Sequence, residues 1–286
     1  MSMGRVGRVI TVTCLAGVVC LSTALSPSVS AQWPQQKTPR APRNADGSVD
    51  LNAPVPRTAD GKPDLSGLWY ANAPAGLPRV QVTPLPGDPP TATLGNVAGN
   101  MKDDWLPMQP WAAELVKNRR AENSKDNPEA NCQPMGIMQF HTQGFPRRFI
   151  QTPALLAILY EAWHDYRQIY LDGRPLPAAD RQETWYGYSI GQWNGDTLVV
   201  TSTGFRDDGW LDIPGHPLTS AATVTERFTR VSYGRMHIDV TIDDPKAYTR
   251  PWTVRVVQQI LVDHEMMEMI CTENRRFFAS EQQHKF

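Results

Sequence analysis

The chain has 286 residues, with 28 basic and 29 acidic side chains and a formal net charge of −1 at pH 7. This length is enough for one large or two small domains with a substantial hydrophobic core. A charge so close to zero creates no strong field, so neither nucleic acid nor an anionic lipid surface is expected as a partner.

Residues 1–31 have the pattern of a secretory signal peptide. Arg5 and Arg8 form a basic start, Val9 to Leu25 contains no charge, and Val29-Ser30-Ala31 places small residues at a cleavage site. A membrane anchor is the alternative, but a run this short with Pro27 at its exit fits cleavage better. We therefore expect a periplasmic or secreted protein that has no membrane association after cleavage.

Two of the four cysteines lie in the predicted signal peptide, so the mature chain keeps Cys132 and Cys271. In an oxidising compartment an isolated pair most simply forms one disulfide. A nucleophilic cysteine is the alternative, but neither residue is surrounded by a cysteine-enzyme signature. The pattern predicts a bridge from the segment before the strands to the last predicted strand.

Residues 32–63 are rich in proline, arginine, asparagine and aspartate, which is typical of an arm that is mobile or lies on the surface. Asp46-Gly47-Ser48-Val49-Asp50-Leu51 recurs as Asp60-Gly61-Lys62-Pro63-Asp64-Leu65, which predicts two similar turns. Residues 64–286 are expected to form a single domain with a loop and helix insertion at about 74–130.

One helix is predicted inside that insertion, over 110–122. Pro110 would occupy the first turn, where a helix tolerates proline. Trp111, Leu115 and Val116 follow at helical spacing. Lys117, Arg119 and Arg120 suit the C-terminal end of the helix dipole.

From Arg147 onwards, short apolar runs alternate with turn residues. Strands are predicted at 149–152, 154–160, 166–171, 186–193, 197–203, 223–231, 236–243, 253–262 and 266–271. Asn194-Gly195-Asp196 is the strongest hairpin signal. Strands joined by tight turns without intervening helices predict a mainly β protein, an antiparallel meander that closes into a barrel and so hides its edges.

Two resemblances bear on this prediction. Gly67-Leu68-Trp69 is similar to the Gly-x-Trp of lipocalins, in which the tryptophan closes one end of an eight-stranded barrel, although no counterpart of the other lipocalin motifs is present. Residues 54–76 and 132–275 resemble an uncharacterised family of exported bacterial proteins. The strings that carry this resemblance are DGKPDLSGLW (60–69), GQWNGDTLVV (191–200), TGF (203–205) and TERF (225–228). This second resemblance implies export and a β-rich protein, and it names no activity. The predicted barrel is of the lipocalin or calycin type.

The densest polar cluster is the loop from Arg206 to Pro217, which is too long for a hairpin turn. His216 is a candidate general acid or base near neutral pH, oriented by Asp208 or Asp212, with Trp210 contacting the substrate. The structural alternative makes both aspartates turn or cap residues and packs His216 against Trp210.

Alternation along the strand at 223–231 places Glu226 on the same face as Val224 and Phe228, which is the expected interior face. A carboxyl group in an apolar barrel has a raised pKa unless it is paired. Glu226 and His216, with Asp208 or Asp212, are therefore predicted to line the ligand cavity as an acid/base couple that performs proton transfer near pH 7. The alternative is a purely structural ion pair between Glu226 and an arginine such as Arg167.

His164, Arg167 and Tyr188 are further candidates for substrate contact. Nine tryptophans and eight tyrosines are available to line a pocket for an apolar or aromatic molecule, although such residues more often build the core. The chain contains no metal-ligand spacing, phosphate-binding loop or nucleophile elbow, so no metal and no cofactor are predicted. The sequence leaves open whether His164 and His216 converge on a metal.

Two functions fit these residues. The first is an exported, cofactor-free acid/base enzyme (a lyase, isomerase or hydrolase) that holds an apolar or aromatic substrate in the barrel. The second is a non-catalytic, lipocalin-like binding protein. Interior ionisable groups that converge on one cavity would favour the enzyme, and an apolar interior with a paired glutamate and arginine would favour the binding protein. His216 and Glu226 incline the interpretation towards the enzyme.

Overall fold

The computed structural model describes residues 36–71, 85–93, 95–99, 101, 105–178 and 182–273. The predicted signal peptide lies outside these residues. Contacts divide the chain into the units Met1–Gln36 and Lys37–Phe286. Only residue 36 of the first unit is described, and all the described helices and strands belong to the second. None of the described helices is long and apolar enough to cross a membrane.

The described part of the chain is mainly β, as predicted, and nine of its strands close into a barrel in the order β1-β11-β10-β9-β6-β5-β4-β3-β2. Two further short strands, β7 and β8, pair with each other outside the barrel. The strands are β1 (Gly67–Tyr70), β2 (Arg147–Gln151), β3 (Leu155–Tyr160), β4 (Tyr166–Tyr170), β5 (Tyr188–Asn194), β6 (Thr197–Thr203), β7 (Gly209–Trp210), β8 (Pro217–Leu218), β9 (Thr223–Ser232), β10 (Arg235–Asp243) and β11 (Trp252–Ile260).

The predicted all-antiparallel meander is wrong at one position. β4 and β5 pair in parallel, with Ile169 opposite Ser189 and Tyr170 opposite Ile190. A parallel pair needs a long return connection, and residues 171–187 supply it. The strand count and this parallel pair differ from the eight-stranded barrel that the Gly-x-Trp resemblance implies.

A strand predicted at 266–271 is also absent. β1 already pairs with both β11 and β2, so the barrel is closed and offers no edge for another strand. The chain after β11 instead crosses the outside, where the backbone N–H of Met267 donates to Glu161 over 2.8 Å and Met269 forms an isolated bridge with Ala162.

The predicted helix is present as α1 (Pro110–Ala121), and a second helix, α2 (Gly136–Thr142), was not predicted. Every residue of α2 is buried. Its Phe140 ring stacks on Tyr160 of β3 at a centroid distance of 3.8 Å, and its His141 carbonyl accepts a hydrogen bond from Gln258 of β11. These partners lie on inward-facing strand positions, so α2 occupies part of the barrel interior.

The two six-residue copies in the N-terminal arm form the same turn. Asn44 donates its backbone N–H to Ser48 over 2.8 Å, and Thr58 donates in the same way to Lys62 over 2.9 Å. Arg43 and Arg57 extend from the two turns to Asp263 and Asp196, each over 2.7 Å. The repeated sequence thus fastens the arm to two places at the ends of barrel strands.

The predicted disulfide between Cys132 and Cys271 is confirmed. Cys132 directly follows a short 3-10 helix (Pro128–Asn131) and precedes α2. Cys271 lies beyond β11, so the bridge holds the segment after the barrel rather than the last strand itself. The bridge therefore fixes the chain on both sides of the sequence that forms β2 to β11.

The turn of the β5–β6 hairpin tests whether Gly195 is required for its backbone conformation. Gly195 has φ +59° and its Cβ position meets no atom within 4 Å, so only backbone conformation constrains this residue. We expect Gly195→Val to lower the free energy of unfolding by more than about 1 kcal/mol, because a β-branched residue is strained at positive φ. Denaturant unfolding measures the change. Gly195→Asn, which tolerates this conformation, is the control, and an unchanged midpoint for the valine variant would contradict the assignment.

Candidate functional site

A buried polar network surrounds Glu226 inside the barrel. The Arg167 guanidinium donates from Nη1 to Oε1 over 2.9 Å and from Nη2 to Oε2, and His141 Nε2 lies 2.6 Å from Oε1. The hydroxyls of Ser189 and Ser202 accept from Arg167 Nη2 over 3.1 and 3.0 Å. All five side chains are buried, so helix α2 and strands β4, β5, β6 and β9 meet in one ion-pair network.

The protonation states in this network differ from the sequence prediction. Burial raises the pKa of Glu226, but the charge of Arg167 and the hydrogen bonds from His141 and Arg167 lower it to about 2. Burial lowers the pKa of His141. The imidazole is therefore neutral at pH 7 and donates from Nε2, while its Nδ1 is buried without a partner. The raised pKa predicted for Glu226 is wrong, because the carboxylate is paired.

His216 belongs to a different cluster, on the loop that carries β7 and β8. Its Nδ1 lies 2.7 Å from Asp212 Oδ2, and both side chains are buried. Asp212 also accepts the backbone N–H groups of Gly215, His216 and Val97, at 3.1, 3.0 and 3.0 Å. Asp212 is thus the turn residue of the structural alternative, and it orients the imidazole as well.

The predicted acid/base couple of His216 and Glu226 has no support in these contacts. Glu226 is engaged by Arg167 and His141, and His216 is engaged by Asp212. The ion pair between Glu226 and Arg167, which was the structural alternative, is what the barrel contains. Alternation did place Glu226 correctly, because Val224, Glu226 and Phe228 are all fully buried on the inner face.

A cleft of about 560 Å³ lies outside the barrel, between α1 and the loop that carries β7 and β8. We call it the α1 cleft. It is lined by two tryptophans, two arginines, three acids, three amides and two apolar residues: Trp185, Trp210, Arg119, Arg206, Glu122, Asp126, Asp208, Asn118, Asn131, Gln133, Leu115 and Pro128. Aromatic walls with a few convergent polar groups are typical of small-molecule sites.

Each tryptophan of the α1 cleft is packed by an arginine. The Arg119 Cζ atom lies 4.0 Å from the centroid of the buried Trp210 ring, and Arg206 Cζ lies 4.8 Å from that of the half-buried Trp185 ring. Arg206 is also bound to Asp208 through two hydrogen bonds of 2.8 and 2.7 Å. This pairing lowers the pKa of Asp208, so its carboxyl group is ionised and is no proton donor at neutral pH.

Arg119 differs from Arg206 in its partners. It donates from Nη1 to the Gly215 carbonyl over 2.6 Å, and within the described chain no carboxylate lies within ion-pair distance of it. Burial lowers its pKa to about 10 and outweighs the charges of more distant acids. The guanidinium therefore stays protonated at pH 7, and the part of the chain that the structure describes supplies no neutralising neighbour within ion-pair distance.

The other predicted contact residues lie elsewhere. His164 is exposed and its Nε2 accepts the backbone N–H of Met269 over 3.3 Å. Tyr188 stacks on Tyr170 and lines a separate cleft of about 420 Å³. His164 and His216 lie in different environments, and the described residues contain no group of three histidine, cysteine or acidic side chains placed to hold a metal. Of the predicted site residues, only Asp208 and Trp210 line the α1 cleft.

Several residues of these sites were not predicted. His141 lies on α2, a helix of seven residues that mixes apolar and polar side chains and is buried on every side, so no periodicity marked it. Arg119 was interpreted only as a cation at the end of α1. Strand alternation was the one sequence signal that could have found the polar residues of the barrel interior. It places Ser189 and Ser202 on the same inner face as Leu198 and Val200.

No protein-family model, curated protein or solved structure matches the chain. The resemblance to exported bacterial proteins stays a prediction, and the function has to be inferred from the sites themselves.

Proposed function

We propose that the protein is exported and binds a small organic molecule in the α1 cleft, without catalysing a reaction on it. The observation that carries this proposal is the cleft itself, in which Trp185, Trp210 and Arg119 meet amide side chains around a volume of about 560 Å³. The two aromatic rings contribute affinity, and the polar groups, which are eight of the twelve lining residues, orient the ligand.

The contents of the barrel interior argue against the catalytic alternative. A proton-transfer group works best with a pKa near the operating pH, whereas Glu226 has a pKa of about 2 and is held by two hydrogen-bonding partners. The α1 cleft and the cleft around Tyr188 are lined by residues other than Glu226, Arg167 and His141. A paired glutamate and arginine among apolar side chains is the arrangement that favoured a binding protein.

Two observations support export. The first 31 residues have the pattern of a signal peptide, and the two cysteines that remain beyond it form a disulfide. Structural disulfides persist in the periplasm and outside the cell, and they are rare in the reducing cytosol. The proposed location is therefore the periplasm or the extracellular medium.

The proposal predicts that Trp185→Ala weakens ligand binding at least about tenfold, because its ring is one of the two aromatic rings that line the cleft. Ligand-observed NMR against a library of small aromatic and apolar compounds would identify binders of the mature protein. Trp193→Ala is the matched control, because Trp193 is also half-buried on the barrel but lies outside the cleft. Its ring centroid lies 6.0 Å from Lys62 Nζ. Equal loss in both variants, or no loss in either, would contradict the proposal.

The pairing of His216 with Asp212 supports a second candidate function, acid/base catalysis on the loop beside the α1 cleft, although His216 is not part of the cleft lining. A buried carboxylate that accepts from Nδ1–H fixes the tautomer in which Nε2 is the basic nitrogen. Trp210, on the same loop, lines the cleft. Prolonged incubation in the same NMR experiment distinguishes the two functions. Conversion of a bound compound by the wild type but not by His216→Gln would favour catalysis, and an unchanged compound would favour binding alone.

A further inference from the structure

We infer that the ligand of the α1 cleft carries a carboxylate group, which binds to Arg119. This inference rests on the proposed function and deepens it by naming the chemical class of the ligand, a small organic acid with an apolar or aromatic body. Arginine suits this role because its planar guanidinium presents several N–H donors in a fork that matches a carboxylate.

The first argument is the incomplete neutralisation of Arg119. Its guanidinium packs on the Trp210 ring and donates to the Gly215 carbonyl, two partners without a net charge. A guanidinium has five N–H donors, so one carbonyl leaves most of them available. A half-buried charge that has no counter-ion among the described residues is costly, and a carboxylate ligand would supply that counter-ion.

The second argument is that the loop is shaped around this side chain. Gly215 has φ +93°, and a Cβ atom at this position would lie 2.6 Å from Arg119 Cδ and 3.1 Å from Trp210 Cζ3. Only glycine allows the carbonyl and the ring to approach the guanidinium together. Asp212 holds the same turn through the backbone N–H groups of Gly215 and His216. The position of Arg119 is therefore fixed before any ligand binds, which lowers the entropic cost of binding.

The other charges of the cleft are compatible with an anionic ligand. Asp208 is neutralised by Arg206, and Glu122 is paired with Lys125 over 2.9 Å. Asp126 is the remaining acid of the lining, and its charge acts on Arg119 without reaching ion-pair distance. Among the acids of the cleft, none forms an ion pair with Arg119, so the guanidinium is available to an incoming carboxylate.

The test compares acids with their neutral amides on the mature, disulfide-bonded protein. The probes are benzoate and benzamide, phenylacetate and phenylacetamide, and indole-3-acetate and indole-3-acetamide, with inorganic phosphate as a small anion without an organic body. NMR titration of the tryptophan indole N–H signals measures each dissociation constant. We expect at least one acid to bind about 10- to 100-fold more tightly than its amide, as for hydrogen bonds to a charged partner.

Two variants locate that preference. Arg119→Gln should reduce the ratio of acid to amide affinity to less than about 3-fold, since the charge and the fork are both lost. Lys117→Gln removes an exposed positive charge from the same helix and should leave the ratio unchanged. The ratio of acid to amide affinity is first measured on the wild-type protein. That measurement tests the inference even if Arg119→Gln does not fold.

The outcomes separate this inference from the proposed function. Amides that bind in the cleft as tightly as the acids would overturn the carboxylate inference and leave the binding function in place. Binding of phosphate as tight as that of the best acid would overturn the assignment to an organic acid. If no acid and no amide perturbs Trp185 or Trp210, both the inference and the proposed function fail.

Discussion

Glu226→Ala is expected to lower the free energy of unfolding by about 3–5 kcal/mol, because it leaves a buried charge without its partner. Arg167 would keep its positive charge among Ser189, Ser202 and apolar side chains, and His141 would lose the acceptor of its Nε2–H. Total stabilities of about 5–15 kcal/mol are usual for native proteins, so the loss would be a large part of the whole.

Denaturant unfolding at pH 7 measures this loss, and an exposed ion pair provides the control. Arg57 and Asp196 form a bidentate pair on the surface, where solvent screens the charges, so Asp196→Ala should cost much less than Glu226→Ala. Equal and small losses for the two variants would show that the interior network contributes little to stability.

The same network makes stability depend on pH. The folded pKa of Glu226, about 2, lies below the value of about 4.3 for an unfolded glutamate. Its contribution is therefore fully present above pH 4.3 and is lost as the pH falls towards 2. Burial lowers the pKa of His141, which adds a loss in the same direction below about pH 6.5. The difference in stability between the wild type and Glu226→Gln should shrink between about pH 5 and pH 2.

The disulfide carries the second large effect. Cys132 and Cys271 are 139 residues apart, and by the chain-entropy argument a bridge that closes such a loop stabilises the fold by about 5 kcal/mol. We expect the double variant Cys132→Ala/Cys271→Ala to unfold at a markedly lower denaturant concentration than the oxidised wild type.

Reduction of the wild-type protein is the matched experiment for that variant. Dithiothreitol should shift the wild-type midpoint to that of the double variant and should leave the double variant unchanged. Thiol titration of the denatured, unreduced mature protein should find no free thiol. Two free thiols, or a midpoint that does not respond to reduction, would show that the bridge does not form.

Local patterns in the sequence were sufficient for most of the barrel. Asn194-Gly195-Asp196 located the β5–β6 hairpin, since few residues adopt positive φ. Period-2 alternation placed Glu226 on the inner face, and compartment chemistry paired the two cysteines. The hairpin and the alternation depend on neighbouring residues, and the disulfide depends on the oxidation of paired cysteines in an exported protein.

Features that depend on tertiary contact could not be predicted in this way. Helix α2 has only seven residues and no exposed face, so burial in the barrel rather than an amphipathic period accounts for it. The contact between His141 and Glu226 joins residues 85 positions apart. The parallel pairing of β4 with β5 depends on the course of a long return connection, for which the sequence has no short signal.

The α1 cleft was predictable only in part, for the same reason. Asp208 and Trp210 come from a loop whose length and polarity marked it as a candidate. Arg119 comes from α1, and its contact with the Gly215 carbonyl spans 96 positions of sequence. A cation in the last turn of a helix is explained by the helix dipole alone, so nothing local showed that this residue also lines a cleft.

Mapping of ligand-induced changes in the backbone amide spectrum of the wild-type mature protein tests the central claim most directly. Titration with the best organic acid should shift the amide signals of Trp185, Trp210 and Asn131, which line the α1 cleft, and leave those of Ser189 and Ser202 inside the barrel unchanged. Shifts confined to the barrel interior, or to the separate cleft around Tyr188, would contradict the assignment of the binding site.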